Sequence, residues 1–244
     1  MANCTTLKSA TIPNSITKLD IYAFSGCTNI DTVTIPATCK YVGSYAFSGC
    51  SKLTTVVIAE GVEFIGDNCF ENCVMLTEIV VPDSCTHLGK YAFYNCTSLE
   101  TATIGITVPQ IEKYTFYNCN KLQSVVLGLS VETIGDYAFY NCTALTQVTI
   151  PSTVTEIANR AFKGSGLTSV VVPDTVKKMG YEVFMNCASL ATVQYTKGAS
   201  MLNPRMFENC TSLKEFYFTR NMCRIRSRAF YGCTALEGVN FEDA

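Results

Sequence analysis

A phenylalanine returns every 23 residues along this chain, at Phe24, Phe47, Phe70, Phe93, Phe116, Phe139, Phe162, Phe184, Phe207 and Phe230, the single exception being the 22-residue step from Phe162 to Phe184. A fixed period of this length constrains the fold more than any other feature. A repeat so short encloses no core of its own, so it buries its apolar face only by stacking on its neighbours, as in a solenoid. Ten such repeats leave no place for a domain boundary in 244 residues. The expectation is one solenoid domain over residues 1–244, uncapped at both ends because the chain starts inside a repeat and stops just past a strand. It would be part of a longer array, or stack end to end with other copies.

Six residues after each phenylalanine comes Ile30, Leu53, Leu76, Leu99, Leu122, Leu145, Leu167, Leu190, Leu213 or Leu236. Three and five residues further on lie apolar pairs such as Val33 and Ile35, Val56 and Ile58, Val170 and Val172. This period-two alternation of β-branched residues predicts a short strand with one face buried. Strands one repeat apart run in the same sense, giving a parallel sheet with rungs about 4.8 Å apart and a rod on the order of 50 Å long. The strands end at Pro13, Pro36, Pro82, Pro151 and Pro173, where proline stops pairing cheaply. A second apolar pair, such as Val62 and Ile65 or Val131 and Ile134, then returns the chain to the core.

The Tyr-Ala-Phe segment that follows reads as a single helical turn. Ser44, Asp67, Asp136, Asn159 and Ser227 stand three residues before the phenylalanine as candidate caps. Two residues after it stands Gly or Asn without exception, from Gly26 and Gly49 through Asn72, Asn95, Asn118 and Asn141 to Gly232. These types tolerate a left-handed backbone best, so a positive φ closing each turn is expected. The fold class is thus an α/β-type solenoid of about ten turns, with a parallel sheet, single-turn helices and a continuous internal stack of phenylalanines.

Ten of the fourteen cysteines, among them Cys50, Cys73, Cys96, Cys119 and Cys142, mark one repeat position, which Ser165 fills in the seventh repeat. They form a ladder of free thiols, each donating to a backbone carbonyl inside its turn, with spacing and aim unsuited to disulfides. Cys39, Cys69 and Cys85 replace aliphatic core residues, which leaves Cys223 as the one cysteine expected to be exposed and reactive. No C-x-x-C pair occurs, and the lone His87 sits at an exposed-looking position, so no metal is expected. Nor does any Ser, His and Asp constellation or glycine-rich phosphate loop occur, so neither catalysis nor a cofactor is expected.

Only 16% of residues are charged and 48% are apolar, and the net charge of -2 lacks the basic footprint of a nucleic-acid binder. No apolar run reaches the length of a membrane span, and residues 1–7 do not read as a secretory signal. Four N-x-S/T sequons at Asn3, Asn95, Asn141 and Asn209 arise from the repeat itself.

The combined pattern L-x-x-V-x-I-P, then V-x-x-I-G-x-Y-A-F-x-N-C, is best seen from Leu122 to Pro151. It resembles the BspA-like, or treponemal-type, leucine-rich repeats over nearly the whole chain. The resemblance implies a surface or secreted protein that binds host matrix proteins or other cells without catalysis. The alternative from another class is a passive spacer projecting a domain absent from this chain.

A binding surface is expected on the exposed strand positions. There Val57, Val80, Val126, Val171 and Tyr217 form a nearly uncharged row with threonines between, and a contiguous apolar patch often marks an interaction site. Valine and threonine are also simply good strand residues. Threonine rows of the kind that bind ice or carbohydrate are interrupted by Val57, Val80 and Gln147. Five of the six arginines, Arg205, Arg220, Arg224, Arg226 and Arg228, gather near the C-terminal end beside Phe216, Tyr217 and Phe218. Such a cluster recognises an acidic partner or, the reading favoured by its surroundings, is a solvated face balanced by Glu208, Glu215, Glu237 and Glu242.

Overall fold

In the computed structural model, residues 1–195 and 200–241 are described; Glu242 and Ala244, named above, lie outside them. Each rung contributes a strand on one side of the coil and, after a turn, a two-residue strand on another. The first set comprises β1 (Ala10–Thr11), β3 (Thr32–Ile35), β5 (Thr55–Ile58), β7 (Glu78–Val80), β9 (Thr101–Thr103), β11 (Ser124–Val126), β14 (Ser169–Val172), β16 (Thr192–Tyr195), β18 (Glu215–Phe218) and β20 (Gly238–Phe241). The second set comprises β2 (Lys18–Leu19), β4 (Tyr41–Val42), β6 (Phe64–Ile65), β8 (His87–Leu88), β10 (Gln110–Ile111), β12 (Thr133–Ile134), β13 (Glu156–Ile157), β15 (Lys178–Met179), β17 (Met201–Leu202) and β19 (Arg224–Ile225). All pairings are parallel and in register, Val33 opposite Val56 and Leu19 opposite Val42. The two-residue strands turn the second apolar pair of each repeat into a second hydrogen-bonded ladder, which periodicity alone does not show.

The phenylalanines pile into one internal column. All nine consecutive pairs stack, with centroids 5.2 to 5.7 Å apart and planes within 17° of parallel. From Phe47 to Phe207 the rings are fully buried, with the leucine column, Leu53 to Leu213, beside them.

No helical turn forms in the described residues. The residue two before each phenylalanine has a positive φ, whether it is Tyr45 (58°), Asn68 (56°), Arg160 (57°) or Glu182 (56°). A left-handed residue there ends any run of helical dihedrals. Tight turns replace it: Ala46 N–H donates to Gly43 and Ser48 N–H to Tyr45, while the alternate amides of Tyr45, Phe47 and Gly49 donate to the next rung's Asp67, Cys69 and Glu71 carbonyls. The expected caps serve those inter-rung gaps. Asp67 and Asp136 accept from the amides of Lys90 and Asn159, one rung on, and Asn159 accepts from Tyr181. The positive φ two residues after the phenylalanine holds in all ten repeats, for example Gly49 (73°), Asn118 (62°) and Gly232 (77°). The asparagines there also bond to one another along the axis, Asn95 to Asn72, Asn118 to Asn95 and Asn141 to Asn118, each at 2.8 Å.

The cysteine ladder reaches across rungs and not inside its own turn. Cys50 Sγ donates to the Phe24 carbonyl at 3.2 Å, Cys73 to Phe47 at 3.3 Å, and Cys119 to Phe93 at 3.2 Å, each 26 residues back. The rung stacking brings that carbonyl within reach because its own turn has already used the in-rung partners. Ser165 instead meets Cys187 Sγ at 3.3 Å. All fourteen thiols are free; Cys223 is exposed as expected, but so is Cys4, for which the sequence pattern gave no warning.

Candidate functional site: the outer face of the long-strand sheet

The strands β3 to β18 place alternate residues outward because Cβ atoms alternate across a strand. Register aligns the outward residues within each of the sheets that the long strands form. Thr34 lies opposite Val57, Val80 opposite Thr103, Thr103 opposite Val126, and Val171 opposite Gln194. Val57, Val80, Val126, Val171 and Tyr217 are 46 to 56% exposed, a large fraction for apolar side chains. A neighbouring outward row, Thr32, Thr55, Thr101, Ser124, Ser169 and Thr192, supplies hydroxyls.

Three shallow crevices run along this face. One of about 390 Å³ holds Val57 and Val80 with Thr55, Thr77 and Glu78. A second of about 390 Å³ lies between Gln147, Val148, Thr149 and Ser169, Val171. A third of about 360 Å³ joins Val171 to Gln194 and Tyr217. The second marks a seam: residues 147–150 carry the strand pattern but join neither β11 nor β14. The seam falls beside the one shortened repeat, where Phe162 and Leu167 are five residues apart where other repeats have six. In the turn after β14, Thr175 Oγ1, which aligns with the hydroxyl of Thr153 that bonds Val131 O at 2.8 Å, is buried without a partner.

Charge on the face is sparse. Tyr217 donates to Glu215 Oε2 at 2.8 Å, and that hydrogen bond to a carboxylate holds the phenol above its usual range. His87 is half-buried with its ring on Phe64, centroids 4.3 Å apart, and among the described residues no three metal-ligating side chains converge. The ladder thiols are kept protonated by burial, Cys96 up to about 12 and Cys187 to about 11.

On the opposite, turn side the structure gathers residues that the sequence reading passed over. Tyr91, Tyr114 and Tyr137 stack at 4.7 Å, with Tyr94, Tyr117 and Tyr140 alongside at 4.9 and 4.7 Å. Arg160 extends the first stack over Tyr137 and holds nearly buried Glu182 at 2.8 Å, with Lys163 also at 2.8 Å. The signal was present as the thrice-repeated Tyr-x-Phe-Tyr-Asn-Cys at residues 91–96, 114–119 and 137–142.

The model of the BspA type leucine-rich repeat region matches residues 1–123 and again 109–237. The chain belongs to the BspA-type leucine-rich repeat family. Proteins of this family generally interact with other proteins and are typically not enzymes. Among solved structures this BspA-type chain is similar to a leucine-rich repeat protein from Bacteroides ovatus, at 25% identity and a TM-score of 0.68 over 93% of this chain and 73% of that one. It is also similar to the T. pallidum leucine-rich repeat protein, at 25% identity and 0.53 over 75% and 78%. A leucine-rich cell surface protein from Faecalibacterium prausnitzii shares the fold, at 24% identity and 0.55 over 98% and 88%. No protein of curated function matches the sequence. No helix is long and apolar enough to cross a membrane among the described residues.

Proposed function

We propose that this BspA-type chain is a non-enzymatic adhesion module that binds a host or matrix protein at a cell surface through the outer face of its long-strand sheet. The observation that carries the reading is the row Val57, Val80, Val126, Val171 and Tyr217, which leaves apolar side chains about half exposed on a rigid, sparsely charged surface. Water is released cheaply from such a face, and the rungs hold it in shape before contact, so little ordering entropy opposes docking. The F. prausnitzii protein that shares this fold is a cell surface protein, which supports the location.

The test is binding of the purified chain to a panel of immobilised extracellular-matrix proteins, repeated with Val126→Lys/Val171→Lys. The proposal expects at least one matrix protein to bind and the double variant to lose that binding with its circular dichroism unchanged. Equal binding by both proteins would remove the sheet face from the mechanism.

A further inference from the structure

The short-strand side of the coil carries a feature that the sheet face does not use. The second ladder is interrupted between β15 and β17. The break opens a crevice of about 230 Å³ lined by Lys177, Lys178, Met179, Ser200, Met201 and Asn203. One rung beyond, Arg224 pairs in register with Met201, so the outward row through Lys178 and Met201 continues to Arg224. Arg224 and Arg226 are spaced two apart, which in extended chain puts both side chains on one side, and Arg228 follows in the turn with a φ of 58°.

Of the acidic residues expected to balance these arginines, Glu208 reaches Arg205 alone, and Glu242 lies outside the described residues. Glu208 lies 3.5 Å from Arg205, Glu215 holds Tyr217, and Glu182 takes Arg160, Lys163 and Arg205. Arg220, Arg224, Arg226 and Arg228 form no ion pair with any described residue, and all four are exposed. Arg228 is held over the Tyr231 ring at 5.3 Å. Residues 200–244 carry six Lys and Arg against four Glu and one Asp, a local charge of +1 in a chain whose net charge is -2. The outward aim of Arg224 is shared by Glu156, Lys178 and Met201 at the same position of earlier rungs, each half-buried or exposed.

We propose that this crevice and its flanking Lys177, Lys178, Arg224, Arg226 and Arg228 bind an acidic polysaccharide, one bearing sulfate or carboxylate groups. Arginine forks match both groups with paired hydrogen bonds, and a partner with regularly repeated charge suits cations repeated at rung spacing. The floor supplies the Ser200 hydroxyl and the Asn203 carboxamide, whose Nδ2 donates to Met179 O and leaves its oxygen as an acceptor for sugar hydroxyls. A peptide would anchor through one side chain in an apolar pocket, whereas the cations around this crevice, Lys177, Lys178 and Arg224, suit a partner with repeated charge.

The experiment titrates the chain with a size-defined heparin fragment and with polyglutamate of matched charge, at low and physiological salt. The wild type should bind heparin more tightly than polyglutamate, with affinity falling as salt rises. Arg224→Glu/Arg226→Glu and Lys177→Glu/Lys178→Glu should each weaken heparin binding by about tenfold or more, while Lys52→Glu/Lys121→Glu, equal in charge change, should not. On the unaltered protein, heparin should slow alkylation of Cys223, which sits beside Arg224 with its Sγ 3.3 Å from Ser200 O, and not that of Cys4. Equal losses in all three variants, no heparin binding at low salt, or a preference for polyglutamate would each overturn the proposal, the last in favour of an acidic peptide.

Discussion

Replacing Phe116 by Ala tests the internal column at its most demanding point. The ring is fully buried, 5.4 Å from Phe93 and 5.3 Å from Phe139, with planes at 17° and 9°. A buried phenylalanine removes about 150 Å² from water, which at about 25 cal/mol per Å² is nearly 4 kcal/mol, of which alanine retains a minor part. Two ring contacts are lost as well, each worth about 0.5 kcal/mol or more. The expected cost is about 4 kcal/mol, inside the usual range of about 3–5 for emptying such a site. Phe24 is the internal control, since it lies 9% exposed and stacks on Phe47 alone, so Phe24→Ala should cost about half as much. Urea unfolding followed by circular dichroism measures both, and the slope with denaturant must be compared, because a repeat array with a central cavity can lose its cooperativity and unfold in two parts. A Phe116→Ala loss below about 1 kcal/mol, or one equal to that of Phe24→Ala, would refute the reasoning.

The remaining predictions are more local. Under native conditions at pH 8, a maleimide should label Cys4 and Cys223 quickly and Cys233 slowly, while the buried thiols, with Cys50 pushed up to about 12, should react only after denaturation; fast labelling of Cys119 would contradict the ladder. Glu182 is held down to about 2, first by its hydrogen bond from Arg160 and then by Lys163, against the opposing effect of burial. A depressed folded-state value means its contribution is complete above the ordinary 4.5 and is lost as pH falls from there towards 2. Glu182→Gln should therefore flatten the stability-against-pH curve in that window, and an unchanged acid limb would dismiss the cluster. Asn118→Ala should cost about 2–3 kcal/mol in thermal or urea unfolding, because it loses the axial amide bonds and leaves a Cβ strained at a φ of 62°. Asn118→Gly relieves that strain and should cost only the axial amide bonds, about 1 kcal/mol; an Ala variant as stable as the Gly variant would speak against the left-handed turn.

What was legible in the sequence is what the rungs repeat by chemistry. Phenylalanine, leucine and the alternating strand residues are selected by burial, and Gly or Asn after the phenylalanine by a positive φ, so each shows as a restricted alphabet at a fixed position. The second left-handed position was hidden because Tyr, Asn, Arg and Glu all occupy it. Two inter-rung hydrogen bonds fix that backbone, such as Tyr45 N to Asp67 O, and no side chain has to favour it. That hidden residue turned an expected helix into tight turns. The cysteine role was readable in kind and not in partner, since the acceptor belongs to a neighbouring rung and stacking, not sequence distance, brings it close. The candidate surface divided in the same way. The Val57 to Tyr217 row follows from strand alternation, whereas the fate of the arginines depended on which carboxylates faced which cations: Glu182 and Glu208 both reach Arg205, and Glu215 holds Tyr217.

Hydrogen exchange of the chain alone and bound to a matrix protein tests sheet-face recognition most directly. The account predicts new protection in β5, β7, β11, β14 and β18, centred on Val57, Val80, Val126, Val171 and Tyr217. Protection confined to the turn side, around Tyr91 to Tyr140, with those strands unchanged, would contradict it.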